Sequence, residues 1–329
     1  MHIALVGLGR MGMNMARRLY QGKHDVVVYD VDVAKADMLA CEGLIGVHSL
    51  EELCRKLPLP RAVWLMLPAG KPVDDLLVQL HSLLSKGDII IEGGNTFFRD
   101  DIRRSEECKQ YGIHYIDAGV SGGIWGLEKG YCTMVGGSKE DFDYIEPLLR
   151  TLAPKDGYLY CGSSGAGHFV KMVHNGIEYG MMEAYGEGFE LLKASPYKES
   201  LNLREVAHLW NQGSVVRSWL LELLESAFSK DPELSNISGF VQDSGEGRWT
   251  VQQAVELGVS IPVIADALFK RFQSRQNDVF SDKVLAALRN EFGGHAVFQD
   301  KKEQGSSTAG AGKVSHSEAD VRKIKRSDA

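Results

Sequence analysis

Four polar side chains lie within eight residues of an otherwise apolar stretch, KMVHNGIEYG, which begins at residue 171. At about 100° per residue on a helix, the polar positions of this stretch fall within an arc of about 140°. They are Lys171, His174, Asn175, Glu178 and Tyr179. The rest of the circle is almost entirely apolar, which predicts a polar stripe that faces a cleft and not open water.

Such a stripe can do acid–base chemistry. Burial would lower the pKa of Lys171 and make it a candidate general base. Glu178 lies two turns later, about 10 Å along the helix axis, and could act as an acid on a small substrate. His174 and Asn175 could hydrogen-bond hydroxyl groups or a carboxylate between them. The alternative is a solvated helix face with a Lys–Glu ion pair, and the stripe alone leaves both open.

A second group of residues predicts a dinucleotide site. Residues 7–12, GLGRMG, fit the pattern G-x-G-x-x-G between an apolar run and a helical one, and an aspartate ends the next apolar run. In such loops the glycines permit a tight turn, close approach of a pyrophosphate and close helix–strand packing, and the helix N-terminus attracts the phosphates. The predicted cofactor-binding residues here are Gly7, Leu8, Gly9, Arg10, Met11, Gly12 and Asp30.

The acidic residue bears on the choice of cofactor. Asp30 would accept hydrogen bonds from the adenosine ribose hydroxyls, and its charge would repel a 2′-phosphate, so we expect NAD over NADP. No arginine adjoins Asp30 to favour NADP. The alternative is an ordinary strand–helix turn in which Asp30 caps the following helix.

The elements that must position these residues follow from the apolar pattern. Short apolar runs alternate with helix-length segments up to about residue 162, which predicts a mainly parallel, doubly wound sheet. The expected strands are residues 2–7, 26–30, 62–67, 89–91, 114–117 and 133–135. Later segments are helical, with expected helices at residues 165–193, 200–228, 250–257 and 262–290. We therefore predict three parts: a Rossmann-like α/β domain at 1–162, an all-α substrate-binding and oligomerisation domain at 163–296, and a disordered tail at 297–329.

Composition excludes several classes of protein. The 329 residues are 44% hydrophobic, enough for two cores, and the net charge of −7 without a basic cluster argues against nucleic-acid or membrane-surface binding. Five cysteines with no CxxC pattern argue against a disulfide framework and a zinc site, and no other cluster has metal-ligand spacing. Without a signal peptide or an apolar run of about 20 residues, we expect a soluble cytoplasmic protein.

Further motifs carry a resemblance to a known family. They are GLGRMG, Gly94-Asn95 in IIIEGGN, Ser121-Gly122-Gly123 in DAGVSGG, KxxHNxxEY, GEGRWT at 245–250 and RNEFGGH at 289–295. Together they resemble the 6-phosphogluconate dehydrogenases of the β-hydroxyacid dehydrogenase superfamily, over residues 1 to about 298. The chain is similar to the short form, with one copy of the helical region. Asp30-Val31-Asp32 stands where the long form carries Asn-Arg-Thr, which supports NAD.

The resemblance implies a metal-free oxidative decarboxylation of 6-phosphogluconate to ribulose 5-phosphate and CO2, a step of the pentose phosphate pathway. Lys171 would act as the base and Glu178 as the acid. Residues implied to bind the sugar acid are Asn95, Ser121, Gly122, Gly123, His174 and Asn175, and Asn95 would also contact the cofactor. Candidates for the 6-phosphate are Tyr179, Arg248, Thr250 and Arg275. Arg289 and His295 match an element that reaches the neighbouring subunit's site, which implies a homo-oligomer, a dimer or a tetramer.

Two other functions remain open at this stage. A related enzyme could oxidise 3-hydroxyisobutyrate or a similar unphosphorylated acid, although GEGRWT and RNEFGGH count against it. A non-catalytic dinucleotide-binding protein could share the fold, because a fold does not determine a function. Retention of both Lys171 and Glu178 counts against that alternative.

Overall fold

An eight-stranded sheet organises the first half of the chain. The computed structural model describes residues 1–293 and residue 296, and these fall into two units, Met1–Arg275 and the chain from Gln276 onwards. The strands are β1 (His2–Val6), β2 (Asp25–Tyr29), β3 (Ile45–Gly46), β4 (Ala62–Leu65), β5 (Ile89–Glu92), β6 (His114–Ser121), β7 (Cys132–Gly136) and β8 (Tyr158–Gly162). Their order in the sheet is β3-β2-β1-β4-β5-β6-β7-β8.

The predicted doubly wound, mainly parallel sheet is confirmed. Strands β1 to β6 pair in parallel, whereas β7 is antiparallel to β6 and β8 is parallel to β7. The connection between β6 and β7 holds only a 3₁₀ turn and a four-residue helix, too short for a parallel crossover. Two strands were not expected from the sequence: β3, which has only two residues, and β8 (YLYCG), whose side chains are half-buried or exposed.

Apolar side chains cover both faces of this sheet. Successive residues of each buried strand point to opposite faces, so Ile3 and Leu5 join one cluster while Ala4 and Val6 join the other. Helices pack on both clusters, as the doubly wound arrangement requires. They are α1 (Arg10–Gln21), α2 (Val33–Cys41), α3 (Leu50–Lys56), α4 (Lys71–Leu83), α5 (Phe98–Gln110), α6 (Gly126–Lys129) and α7 (Lys139–Leu152).

The second half is helical, as predicted. Its helices in the first unit are α8 (Ala166–Ala194), α9 (Leu203–Asn211), α10 (Trp219–Lys230), α11 (Glu246–Leu257) and α12 (Pro262–Gln273), and α13 (Phe280–Gly293) lies in the second unit. Two expectations were wrong, because the segments 200–228 and 262–290, each expected to be one helix, both consist of two helices. Each is broken where a residue adopts positive φ, at Gly213 (92°) and at Asp278 (52°), a conformation that no α-helix contains.

Helix α8 lies directly on the sheet because glycines remove the side chains between them. A Cβ on Gly167 would lie 2.5 Å from the carbonyl oxygen of Met134, and one on Gly119 would lie 2.4 Å from the Cβ of Lys171. The buried carboxylate of Asp117 accepts the N–H groups of Gly165 (2.7 Å) and His168 (3.0 Å), so strand β6 caps the helix. This contact fixes where the polar stripe of α8 begins.

Three further expectations concern a membrane-spanning helix, the C-terminal tail and the domain boundary. Among the described residues, no helix combines the length and the apolarity needed to cross a membrane. The expected tail at 297–329 lies outside the described residues. The domain boundary near residue 163 stays a prediction.

Candidate active site

A cleft of about 940 Å³ opens where α8 passes the carboxyl ends of β5 and β6. Loops at the carboxyl ends of parallel strands are where doubly wound sheets bind ligands. Nine of the predicted site residues line the cleft: Met11, Asn95, Ser121, Gly122, Gly123, Lys171, His174, Asn175 and Glu178. The α10 residues Trp219, Leu220 and Leu223 form part of its apolar wall.

Lys171 is buried in this cleft, with 7% of its surface exposed. Its ammonium group donates a short hydrogen bond to the side-chain oxygen of Asn175. Burial lowers the pKa of Lys171 below its usual 10.5, although the negative charges of Glu178 and Glu246 act in the opposite direction. A lysine whose pKa is lowered loses its proton more readily than an exposed one, and its neutral amine can accept a proton from a bound hydroxyl group.

A polar chain along one face of α8 connects this lysine to the acid. The oxygen of Asn175 that accepts from Lys171 also lies 3.0 Å from Nδ1 of His174. The same nitrogen lies 3.9 Å from a carboxylate oxygen of Glu178. The stripe therefore faces a cleft, as predicted, and the alternative of a fully solvated Lys–Glu pair is excluded for Lys171 by its burial.

The glycine loop has the geometry that a pyrophosphate needs. Gly7 has φ of 94° and donates its N–H to the carbonyl of Tyr29 at 3.0 Å, which forms the tight turn. A Cβ on Gly12 would lie 2.0 Å from the carbonyl oxygen of Gly7, whereas one on Gly9 would meet no atom within 4 Å. Gly9 therefore leaves open space beside the N-terminus of α1, and the residues present fit a dinucleotide.

Asp30 follows β2 and is buried. Its two carboxylate oxygens accept the backbone N–H groups of Leu8 (2.6 Å) and Asp32 (2.9 Å). Burial raises the pKa of Asp30, but these hydrogen bonds and Lys35 outweigh burial and lower it, so the carboxylate stays charged. Lys35, which the sequence analysis did not consider, lies 3.3 Å from Asp30 and 3.7 Å from Asp32. The positive charge of Lys35 is therefore shared between the carboxylates of Asp30 and Asp32.

Three arginines gather near the far end of the polar stripe. Arg248 and Arg275 both bind the carboxylate of Asp243, at 2.5 and 2.8 Å, and both lie over the ring of Phe272. The guanidinium of a third, Arg271, stacks 3.5 Å from the ring centre of the buried Tyr179. The sequence analysis missed this arginine, which only the packing of α12 on α8 brings to Tyr179.

Thr250 lies between α11 and α8, and its assignment to the 6-phosphate stays a prediction. Its hydroxyl lies 2.9 Å from the carbonyl of Met172 and 2.8 Å from that of Glu246, and it can donate to either. A Cβ on Gly176 would lie 2.8 Å from its methyl group, so Thr250 fastens α11 to α8 and does not line the cleft. Arg289 is an exposed residue of α13 in the second unit. His295 lies outside the described residues.

Glu246 is a second residue that the sequence analysis missed. It begins α11 within GEGRWT and is only 2% exposed. One of its carboxylate oxygens accepts the hydroxyl of Ser244 at 2.6 Å, and the other has no hydrogen-bond partner among the described residues. Its charge acts on Lys171. One signal for Glu246 was present in the sequence: it lies in GEGRWT, the motif that was singled out for Arg248.

Comparison with known proteins agrees with this geometry. The profile of the NAD binding domain of 6-phosphogluconate dehydrogenase matches residues 2–162, and that of the C-terminal domain of 6-phosphogluconate dehydrogenase matches residues 167–310. Bacillus subtilis YqeC, to which a 6-phosphogluconate dehydrogenase function is provisionally given, is 50% identical over 297 residues. The match spans 90% of this chain and 99% of the relative.

Two further relatives have more definite names. The NAD(+)-dependent, decarboxylating 6-phosphogluconate dehydrogenase of Haloferax volcanii is 42% identical over 299 residues, covering 90% of this chain and 98% of the relative. The solved structure of Plasmodium falciparum 6-phosphogluconate dehydrogenase, described in apo form and with NADP+ or 6-phosphogluconate, is 31% identical with a TM-score of 0.76. The match covers 92% of this chain and 67% of the Plasmodium chain. This chain therefore belongs to the 6-phosphogluconate dehydrogenase family.

Proposed function

We propose that the protein catalyses the oxidative decarboxylation of 6-phosphogluconate to ribulose 5-phosphate and CO2, with NAD as the electron acceptor. The observation that carries this proposal is the buried Lys171, whose pKa is lowered and which shares a cleft with Glu178 and the loops after β5 and β6. The resemblance seen in the sequence and the family matches support the same reaction.

Lys171 acts first as a base. In its neutral form it accepts the proton of the substrate's C3 hydroxyl as C3 loses its hydride. The nicotinamide of the bound cofactor supplies the acceptor for that hydride, and the glycine loop with Asp30 holds the cofactor at the edge of the cleft. Asn175, which lies within hydrogen-bond distance of Lys171 and His174, orients both groups toward the sugar acid.

The second stage breaks a carbon–carbon bond. The C1–C2 bond of the 3-keto acid breaks, CO2 leaves, and its electron pair passes into the enolate whose oxygen is at C3. Lys171, now an ammonium ion, returns its proton to that oxygen and stabilises the charge that develops there. Glu178 then protonates the former C2, which is C1 of the enediol, while the neutral amine of Lys171 takes back the proton of the hydroxyl that becomes the ketone of the product. No additional oxidant is needed, because the hydride step has already oxidised C3.

The remaining substrate groups are anions. Ser121 ends β6, Gly122 and Gly123 follow it at the wall of the cleft, and the three offer polar backbone groups to the carboxylate. A phosphate dianion requires charged, forked donors. Arg248, Arg271 and Arg275 surround Tyr179 and Phe272 and would supply them, with Asp243 holding two of the three until the phosphate binds.

The preference for NAD is supported by Asp30, whose lowered pKa keeps a negative charge beside the ribose. Lys35 is already paired with Asp30 and Asp32, so the three groups retain a net negative charge. We further propose that the enzyme is a homo-oligomer in which Arg289 and His295 complete the neighbouring subunit's site.

A steady-state assay tests the proposal. The purified protein should reduce NAD on addition of 6-phosphogluconate, release one CO2 per NADH, and give a lower kcat/KM with NADP. Faster turnover of 3-hydroxyisobutyrate would instead favour the unphosphorylated-acid enzyme, and NAD binding without turnover of either acid would favour a non-catalytic protein. NADH production without CO2 would contradict the decarboxylation step.

A further inference from the structure

A set of fully buried ionisable side chains lies directly behind the cleft. Glu92 ends β5, Asp101 belongs to α5 and His168 belongs to the first turn of α8, and each is at most 1% exposed. Their ligand-type atoms lie within 4.8 Å of one another. The mechanism above uses none of them, yet His168 stands one helical turn before the catalytic lysine.

Hydrogen-bond geometry defines the protonation of this histidine. Nδ1 of His168 lies 2.8 Å from a carboxylate oxygen of Asp101, and Nε2 lies 2.9 Å from the carbonyl oxygen of Gly94. A carbonyl oxygen can only accept, and Asp101 already accepts the hydroxyl of Tyr115 at 2.9 Å through its other oxygen. Burial raises the pKa of Asp101 and of Glu92, but the charge of His168 acts against that rise at both acids. With Asp101 ionised, both ring nitrogens donate and His168 carries a positive charge.

The surrounding charges favour the same state. Burial by itself lowers the pKa of His168, but the negative charges that face it from Asp101, Glu92 and Asp117 outweigh burial and raise its pKa to about 10. One oxygen of Glu92 accepts the N–H of Gly94 at 3.0 Å, and the other, which has no hydrogen-bond partner in the part of the chain that the structure describes, lies 3.8 Å from Nε2 of His168.

The nearest other cation belongs to a separate set of contacts. Arg104 of α5 donates to Asp74 and to the carbonyl of Gly70, and its remaining contact is with Thr96 at 3.5 Å. His168 is thus the cation that hydrogen-bonds Asp101 directly, whereas Arg104 acts on Glu92 through its charge. Since both of its nitrogens are engaged by oxygen atoms, it has no free lone pair for a metal ion.

We propose that His168 is a permanent imidazolium that ties the Gly94–Asn95 loop to the first turn of α8, and so positions Asn95 relative to Lys171. His168 is a positioning residue, because it touches the carbonyl of Gly94 and not the cleft. Asn95 is the next residue along the chain and is exposed at the wall of the cleft. This inference rests on the proposed function only for its kinetic consequence; the charge state of His168 does not depend on it.

Nuclear magnetic resonance of 15N-histidine-labelled protein tests the charge state without any substrate. We expect one histidine whose two ring nitrogens are both protonated at pH 8.5, where ordinary histidines are neutral. Its signals should disappear in the His168→Gln variant. A neutral ring at His168 at pH 8.5 would overturn the proposal, whether or not the protein turns over 6-phosphogluconate.

A double-mutant cycle tests the positioning role. Displacement of a catalytic contact by about 1 Å costs on the order of 100-fold, so His168→Gln should lower kcat/KM by at least about tenfold and enlarge the deuterium isotope effect on hydride transfer. If His168 acts through the loop, the double variant with Asn95→Ala should be no slower than Asn95→Ala alone. Independent, multiplicative losses would refute the role of the loop.

A matched control is available on the same strand that carries Tyr115 and Asp117. His114 also pairs with a carboxylate, Asp141, at 2.5 Å, but it does so at the amino end of β6, away from the cleft. His114→Gln should leave kcat/KM and the isotope effect within about twofold of the parent enzyme. An equal loss in His114→Gln and His168→Gln would show a general structural effect and overturn the proposal.

Discussion

Gly119→Ala is the sharpest probe of the proposed base, because it moves Lys171 without removing it. A Cβ at residue 119 would lie 2.4 Å from Cβ of Lys171, 2.9 Å from its Cγ and 3.1 Å from the carbonyl oxygen of Gly167. Ordinary van der Waals contact begins at 3.4 Å, and the position of a Cβ is fixed by its backbone, so α8 must retreat at Lys171 by about 1 Å, the difference between 3.4 and 2.4. The backbone of β6 cannot yield instead, since it is paired on both sides.

The expected loss follows from that displacement. A misplacement of about 1 Å in a catalytic contact lowers a rate on the order of 100-fold, or about 2.7 kcal/mol in activation free energy. Steady-state turnover of 6-phosphogluconate should show it in kcat, while the dissociation constant for NAD, measured by fluorescence, stays within about twofold. A crystal structure of the variant should show the shifted lysine.

A control substitution lies on the same helix as the lysine. A Cβ on Gly188 would meet no atom within 4 Å, so Gly188→Ala should leave kcat unchanged and raise the free energy of unfolding by about 0.4–1 kcal/mol. If Gly119→Ala displaced Lys171 by 1 Å yet kept kcat within threefold of the parent, roughly 0.6 kcal/mol, the assignment of Lys171 as the base would be refuted.

Further predictions concern the same cleft. Lys171→Met should lower kcat by at least about 1000-fold while NAD binding, followed by fluorescence titration, is retained. Because the neutral amine is the active form, kcat/KM in the parent enzyme should rise with pH through an apparent pKa below 10.5, as a pH–rate profile will show. Asp30→Ala should reduce the ratio of kcat/KM for NAD over NADP by at least about tenfold, because it removes a charge that opposes the 2′-phosphate. Arg271→Ala should raise KM for 6-phosphogluconate by about tenfold or more, without changing the dissociation constant for NAD.

Each of these has an outcome that contradicts it. Near-normal turnover in Lys171→Met would remove the mechanism, and an acid limb that follows the ordinary lysine pKa would contradict the role of burial. An unchanged cofactor ratio in Asp30→Ala would mean that Lys35 or another group sets the preference. A KM unaffected by Arg271→Ala would place the phosphate elsewhere.

Local signals in the sequence were sufficient for much of this site. The glycine loop and the stripe on α8 could be predicted because each depends on residues a few positions apart, which share a turn or a helix face. Strand β7 was expected from its apolar run at 133–135, but its antiparallel pairing with β6 was not, because that pairing depends on the short connection between the two strands, and the half-buried β8 was not expected at all.

Residues that act through tertiary contacts were not accessible in this way. Arg271 reaches Tyr179 only because α12 packs on α8, and Glu246 approaches Lys171 only because α11 does. His168 reads as an ordinary member of an apolar helix, and its partner Asp101 is 67 residues away in the chain. The hydrogen bond from Thr250 to the carbonyl of Met172 likewise depends on the packing of α11 on α8.

Lys171 and Glu178 belong to one unbroken helix of 29 residues. Their Cα atoms keep the same separation however the cleft widens for a product to leave, because a helical backbone behaves as a stiff rod over two turns. Adaptation to a longer or shorter sugar acid therefore cannot proceed by respacing the pair. It must come from the surfaces that face α8, which are formed by Trp219 and Leu223 of α10 and by the loop after β6. Substitutions there would change the depth of the cleft and leave the proposed acid and base in place on α8.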